Sequence, residues 1–415
     1  MWKAYPRHSV NLSAGCYAAL LGTVLRGEAL QGTDVERFEA AFAKYIGVPR
    51  AIGVSSGRAA LYLALKALGL KAGDEVLMPA YTFHIVPLVI HACGLKPVFV
   101  DVDPDTYNIN VALIEKFLTP NTKAILATHI YGQPCDMAPI LQIARARKLI
   151  VLEDCAHACG AEYQGQKVGS FGDLGLFTFA MAKNMPCFGG GMITLKDETV
   201  YRRLLAQIKL PDANRRKGLW KEVLSTTINF TMTLPPIFSF LTFPLMRAAK
   251  ALKPQAFESE AGQETVSNAQ AQSTFPTRLT NLQAAVGLRQ LTRLDAINAA
   301  VSRNARLYNQ ELRGLPGVKV PAVSAGRTHT FLYYRLEVDA LDRLKSAVFP
   351  HGVDTRPDDM SDCTTLAPFR DQAVNVPVAQ KLPARILEIP NNPRMTEDDA
   401  RRVAQRIRQA AQSLA

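Results

Sequence analysis

Blocks of apolar and polar residues alternate along the first half of the chain, and their lengths predict a repeating strand–helix order. Residues 34–46 set Val35, Phe38, Phe42 and Ile46 at helical spacing among charged groups, a stripe that a helix buries on one face. Ala51-Ile52-Gly53-Val54 then reads as a short strand that runs through Ser55-Ser56-Gly57 into a helix from Ala59 to Leu68. Four more short apolar runs follow: Glu75-Val76-Leu77-Met78, Pro97-Val98-Phe99-Val100, Ala124-Ile125-Leu126-Ala127 and Leu149-Ile150-Val151-Leu152. Each ends in proline or in polar residues, and helical stretches such as 86–93 and 137–146 separate them. Strands apolar on both faces, joined by helical crossovers, predict an α/β fold with a mostly parallel sheet between helices. Ligands of such sheets sit beyond the carboxyl ends of the strands. Phe83, His129 and Asp154 fall near those ends and are expected to share one cleft.

The pattern changes after about residue 300. Phe331–Leu336 and Val338 suggest sheet, and Glu397–Ala411 is a charged amphipathic helix, so a smaller α+β domain is expected over 301–415, after a large domain over 1–300 that includes an apolar insertion at about 215–273. At 415 residues the chain exceeds the size at which one core usually stops growing, which agrees with two domains. Between them lies an unusual stretch. Residues 223–246 contain no Asp, Glu, Lys or Arg, while Arg215, Arg216, Lys217 and Lys221 precede them and Arg247, Lys250 and Lys253 follow. Pro235, Pro236 and Pro244 break any continuous helix, and Ser, Thr and Asn residues lower its capacity to span a bilayer. Two expectations stand side by side: a broken hairpin over 215–253 that touches an anionic membrane surface, or an internal or subunit packing element.

Composition excludes several classes. The chain is 48% hydrophobic and 20% charged, that of a folded soluble protein. Seven cysteines, Cys16, Cys93, Cys135, Cys155, Cys159, Cys187 and Cys363, are odd in number and scattered, which predicts free thiols in a reducing compartment and hence a cytoplasmic protein. His157 falls between Cys155 and Cys159, but no second ligand pair follows at a useful spacing, and no metal is expected. The opening residues lack an apolar core, against a secretory signal. A net charge of +12 raises nucleic acid as a partner. The basic residues are dispersed, without zinc-finger spacing or an RNP-like segment. Phosphorylated metabolites or an anionic membrane account for the same charge.

The chemistry centres on Lys183, set in Phe177-Thr178-Phe179-Ala180-Met181-Ala182-Lys183-Asn184 ahead of Gly189-Gly190-Gly191. A lysine among apolar residues reaches water, finds a counter-ion or loses its proton. Held neutral, it is a nucleophile for aldehydes, and a Schiff base with pyridoxal phosphate is the leading expectation. That cofactor needs a carboxylate at its ring nitrogen, a flat contact for its ring and donors for its phosphate. Asp154 is the candidate carboxylate, against a plain role as a helix cap. Phe83 is the candidate flat contact, against a plain core role. Thr178 and the Ser56-Gly57-Arg58 turn are candidate phosphate donors at a helix N-terminus; Arg58 adds a guanidinium. His157 is placed to touch the ring or its hydroxyl.

These segments, together with Gly27-Glu28-Ala29-Leu30-Gln31-Gly32, Gly73-Asp74-Glu75-Val76, Pro79-Ala80-Tyr81-Thr82-Phe83, Val100-Asp101-Val102-Asp103, His129-Ile130-Tyr131-Gly132-Gln133-Pro134, Glu153-Asp154-Cys155-Ala156-His157-Ala158-Cys159-Gly160-Ala161 and Leu282-Gln283-Ala284-Ala285-Val286-Gly287, resemble in order the DegT/DnrJ/EryC1/StrS family of pyridoxal-phosphate-dependent sugar aminotransferases. The resemblance implies a fold-type I transferase with a seven-stranded sheet. It assigns Lys183 to the Schiff base, Asp154 to the pyridine nitrogen, Phe83 to the ring face, His157 to the region of its hydroxyl and Thr178 to the phosphate. It further implies a homodimer with sites at the subunit interface, an amino-acid donor, usually glutamate, and a keto-sugar acceptor. Related proteins that dehydrate keto-sugars carry histidine in place of the lysine, so Lys183 points away from them. A non-catalytic regulator or scaffold that keeps the fold is the alternative from another class, and the turn at 53–58 offers no dinucleotide-binding GxGxxG. Three features depart from the family pattern: Arg58 where threonine is common, Pro276 where an asparagine reaches the partner's phosphate, and the apolar segment 223–246. The last makes a lipid-linked acceptor an expectation, with the enzyme on the inner face of a membrane.

Overall fold

A computed structural model of the chain describes residues 2–252, 276–372 and 374–414. Seven strands form the central sheet: β1 (Arg50–Val54), β2 (Glu75–Pro79), β3 (Lys96–Val100), β4 (Thr122–Thr128), β5 (Ile150–Asp154), β6 (Leu174–Thr178) and β7 (Gly191–Leu195). Their order is β1-β7-β6-β5-β4-β2-β3. Only β7 runs against its neighbours; it pairs antiparallel with both β1 and β6, and the remaining pairs are parallel. The sheet is therefore the mostly parallel one that the apolar runs predict; the five strands read from those runs lie within two residues of their expected bounds, and β6 and β7 are not among them.

Side-chain alternation explains why these runs are apolar throughout. Val76, Met78, Leu126 and Leu152 face a core shared with the helices Gly57–Ala67 and Ile85–Ala92. Leu77, Ile125, Ala127 and Val151 face the opposite core, beneath the helix Met137–Arg147. A strand covered on both faces has no position for a polar residue until it leaves the sheet. At the β6–β7 end, Phe38 and Phe42 of the helix Asp34–Ile46 meet Phe177 and Phe179 with ring centroids 5.0–5.6 Å apart. Truncating one such ring costs about 3–5 kcal/mol. This cluster backs the loop that carries Lys183.

The C-terminal layer is α+β. Strands β8 (Val318–Lys319), β9 (Tyr334–Val338), β10 (Arg356–Pro357) and β11 (Ile386–Ile389) form an antiparallel sheet in the order β8-β9-β11-β10. The strand expected from 331 starts at Tyr334 instead. Phe331 has a positive φ of 42° and stacks its ring on His329 at 3.8 Å, so the backbone is turned there rather than extended. The helix Leu294–Leu312 runs through residue 300, and Tyr5 pairs with Val353 and lies in the C-terminal core. Two-residue strands Tyr81–Thr82 and Ser361–Asp362 pair antiparallel and hang residues 358–360 over the carboxyl end of the central sheet.

The stretch without charges is helical and bent. A 20-residue helix, Ala213–Met232, is capped by Asp212, whose side chain accepts from the Arg215 N–H. The chain breaks at Thr233–Leu234 and resumes through Pro235–Ile237, a widened turn over Phe238–Thr242 and Phe243–Leu252. In that turn the Phe243 N–H bonds the Phe238 carbonyl five residues back, which reshapes the helix just before Pro244, a residue with no N–H to give. The two legs meet at 68°, and among the described residues no single helix is long and apolar enough to cross a membrane. Lys253 and the rest of the segment expected to 273 lie outside the described residues.

Candidate active site

One cavity of about 890 Å³ opens beyond the carboxyl ends of β5 and β6. Ser56, Gly57, Arg58, Phe83, Asp154, His157, Thr178 and Lys183 all line it. They arrive from four strand ends, as the alternating fold demands. β1 delivers the Ser55-Ser56-Gly57 turn, β2 leads through Tyr81–Thr82 to Phe83, β5 ends at Asp154, and β6 ends at Thr178 with Lys183 in the connection that follows.

The turn is built as a helix start. Ser56 is the N-cap of Gly57–Ala67, its hydroxyl accepting from the Ala59 N–H at 3.1 Å, so the N–H groups just inside the helix face the cavity as anion donors. Glycine is required at 57: a Cβ there would lie 2.8 Å from the Thr178 Cβ. That close approach sets the Thr178 hydroxyl beside the turn. Gly190, with φ of +96°, closes the Lys183 loop against Leu279, whose Cδ1 would stand 2.4 Å from an added Cβ.

Electrostatics separate the roles. Burial pushes the Lys183 ammonium down to about 8, and the carboxylates of Asp359 and Asp154 oppose that shift. Burial raises Asp154, while the Ala156 N–H, at 3.0 Å, and the Lys183 charge hold it down. Burial and Lys183 push His157 well below its usual range, so the ring is neutral. Its Nδ1 accepts from the Tyr131 N–H at 3.3 Å, which leaves the proton on Nε2. The ring lies parallel to Tyr131 and edge-on to Tyr333.

His129 does not join the cleft. It is fully buried, its Nδ1 accepting from the Cys135 N–H at 2.9 Å and its Nε2–H donating to Glu153 at 3.2 Å. Glu153 also accepts from the N–H groups of Gly169, Phe171 and Gly172, each at 2.8 Å. His129, Glu153 and Cys155 lie close enough to hold a metal ion. The imidazole lone pair and the carboxylate oxygens are already taken, however, and the trio ties β4, β5 and the loop before β6 together. Position at a strand end does not say on which side of the sheet a residue turns, and His129 turns inward.

Asp359 and Tyr333 were not legible in the sequence, yet both line the cavity. Burial alone would raise Asp359, but Arg335 and Arg356 hold its carboxyl well below the usual range, with guanidinium contacts of 2.9 and 3.4 Å. The Tyr333 ring collects three cations: Lys183 Nζ lies 5.6 Å from its centroid, Arg335 4.6 Å and Arg356 5.7 Å. Its hydroxyl donates to the Ala182 carbonyl at 3.4 Å, which steadies the backbone next to Lys183. Lys209, Asn214, Arg215 and Glu222 complete one rim. They stand at or near the root of the bent helix pair.

The donor set meets the needs of pyridoxal phosphate. A lysine of lowered proton affinity, a buried carboxylate, a helix start with an arginine and a hydroxyl, and an aromatic ring face one space. A constellation of this kind at the ends of a seven-stranded sheet in this order defines a fold-type I pyridoxal-phosphate-dependent transferase. The chain belongs to the DegT/DnrJ/EryC1/StrS aminotransferase family, whose profile matches residues 17–234 and 244–408; the unmatched residues 235–243 fall at the start of the second leg of the bent pair. It is 34% identical over 380 residues to a GDP-perosamine synthase of Caulobacter vibrioides, with 90% of this chain and 88% of that one covered. It is 32% identical to a UDP-N-acetyl-3-dehydro-alpha-D-glucosamine 3-aminotransferase of Acidithiobacillus ferrooxidans, over 91% of this chain and 88% of that one. The fold superposes on S. venezuelae DesV, solved with a ketimine intermediate, at a TM-score of 0.75 and 28% identity, covering 96% and 94% of the two chains. The protein is thus an aminotransferase rather than a scaffold that keeps only the fold.

Proposed function

We propose that this enzyme moves an amino group from an amino acid, glutamate, to a keto-sugar through pyridoxal 5'-phosphate held in the cavity. The observation that carries the reading is Lys183, lowered to about 8 by burial, lining the same cavity as Asp154 and the Ser56-Gly57-Arg58 turn. Named relatives that act on nucleotide sugars support the acceptor class. When bound, the cofactor supplies an aldehyde for the amine and a ring that takes up the electron pair left at the substrate carbon. Asp154 would keep the ring nitrogen protonated, which favours that uptake. Lys183 Nζ would take the proton from the substrate carbon and return it on the cofactor side, a transfer suited to an amine that titrates near neutrality. Phe83 would cover one ring face, and His157, neutral with its proton on Nε2, would face the ring or its hydroxyl. Ser56, Gly57, Arg58 and Thr178 would hold the phosphate.

In this reading Arg58 compensates for Pro276, which has no side-chain donor and whose carbonyl accepts from the Lys209 N–H at 3.1 Å. The enzyme acts as a homodimer with its sites at the subunit boundary. Its unpaired thiols favour a cytoplasmic setting, and the bent helix pair beside the cavity favours an acceptor presented at a lipid surface. A screen of amino donors against keto-sugars, followed by the visible absorbance of the lysine-bound cofactor, tests the reaction. Normal turnover by Lys183→Ala would end it.

A further inference from the structure

We propose that the outward face of the bent pair Ala213–Met232 and Pro235–Leu252 docks on an anionic lipid surface. Side chains that a soluble protein buries stand open here: Leu224 is 63% exposed, Phe240 62% and Leu245 61%. On the first leg, Leu224, Ile228 and Met232 follow one another at helical spacing on the outer face, all exposed. Lys217, Trp220 and Lys221 continue that face toward the amino end, so lysines and an indole give way to aliphatic groups as the turn approaches. The second leg mirrors this order: Phe240, Leu241 and Leu245 near the turn, then the exposed Arg247, with Lys250 beyond it lying over the Phe349 ring at 4.6 Å. Both legs are apolar toward the bend and basic away from it.

That ordering identifies the occupant. Lysine and arginine sit at headgroup depth, tryptophan at the boundary and aliphatic groups among the first carbons of the chains. Glu222 is the sole acid from Ala213 to Leu252, and it is turned away. It pairs with Arg215 at 3.1 and 3.0 Å and accepts from Gln283 at 3.2 Å. The outer face therefore carries cations and no anion among its described residues, the complement of an anionic bilayer. A second copy joined through the same face by two-fold symmetry brings like basic rims together with nothing acidic between them. The inference concerns where the enzyme sits, goes beyond its reaction, and stands or falls separately from it.

The test uses the full-length, cofactor-loaded enzyme sedimented with vesicles of phosphatidylcholine alone or mixed with phosphatidylglycerol. Binding to the mixed vesicles should exceed binding to the neutral ones by about tenfold and fall with added salt. Leu224→Asn with Ile228→Asn, and separately Lys217→Glu with Lys221→Glu, should each cut that binding by about tenfold, with the cofactor absorbance and turnover on a soluble acceptor kept. Failure of the wild type to bind mixed vesicles, or binding by both variants equal to that of the wild type, overturns the proposal. So does a drop in oligomeric state of the Leu224/Ile228 variant in ultracentrifugation without loss of vesicle binding, because that face would then be a subunit contact.

Discussion

The wall of the cavity and the outer face of the bent helix pair follow opposite rules. In the wall, charged groups are drawn partly out of water and answered by the chain: Asp359 by Arg335 and Arg356, Lys183 by two carboxylates and a tyrosine ring. On the helix pair, apolar groups are exposed and nothing among the described residues covers them. Burying an unanswered charge costs several kcal/mol, so the first region tolerates little change. An exposed leucine contributes almost nothing to folding, so the second region tolerates substitution with little loss of stability. Stability is held in one region, and the proposed contact belongs to the other.

The sharpest way to break this contrast is Lys183→Ala, which should lower turnover by at least ~10³-fold and abolish the visible cofactor band, since nucleophile and proton carrier are lost together. Asp154→Asn should come next, with turnover down ~10²–10³-fold while the cofactor stays bound, because the ring nitrogen loses its anion. The third test concerns stability. In the folded state Lys183 titrates near 8 rather than 10.5, so the folded protein holds its proton less tightly than the unfolded chain. The resulting penalty is present in full below pH 8 and disappears as pH rises through 8 to 10.5. Cofactor-free Lys183→Met should thus be more stable than wild type at pH 7, by at most about 3 kcal/mol, and the gain should vanish by about pH 11. Thermal melts across that range would show it; a gain that grew with pH would contradict it. Gly57→Ala should weaken cofactor affinity by about tenfold through its collision with Thr178, although alanine is the better helix former. Titration of cofactor into the apoenzyme measures this. The smallest effect belongs to the other region: Leu224→Asn should change chemical denaturation by no more than about 0.5 kcal/mol.

Much of the wall was legible because its parts are local. A strand that ends in Glu153-Asp154, a serine–glycine turn entering a helix and a lysine before three glycines can each be read within ten residues. Alternation between two buried faces made the strands stand out as apolar runs. Asp359 and Tyr333 carry no such mark. They reach the cavity only because Tyr81–Thr82 pairs with Ser361–Asp362 and β9 lies behind Lys183, pairings between segments far apart in the chain. His129 shows the converse: its strand-end position was legible, but its inward direction depends on Glu153 and the Cys135 N–H. The bend after Met232 was foreshadowed by Pro235 and Pro236, whereas the widened turn before Pro244 depends on the neighbours of Phe238, which is buried against Phe243 and Ala4.

Glu222 bears on any attempt to excise the apolar legs. It belongs to the same helix as Leu224, yet its carboxylate lies against Gly189, and Gln283 links it to the Phe188 carbonyl in the loop that bears Lys183. A cut made upstream of it would take a brace away from the reactive lysine and confound loss of anchorage with loss of chemistry. A shortened enzyme should keep the helix through Glu222 and rejoin the chain beyond it.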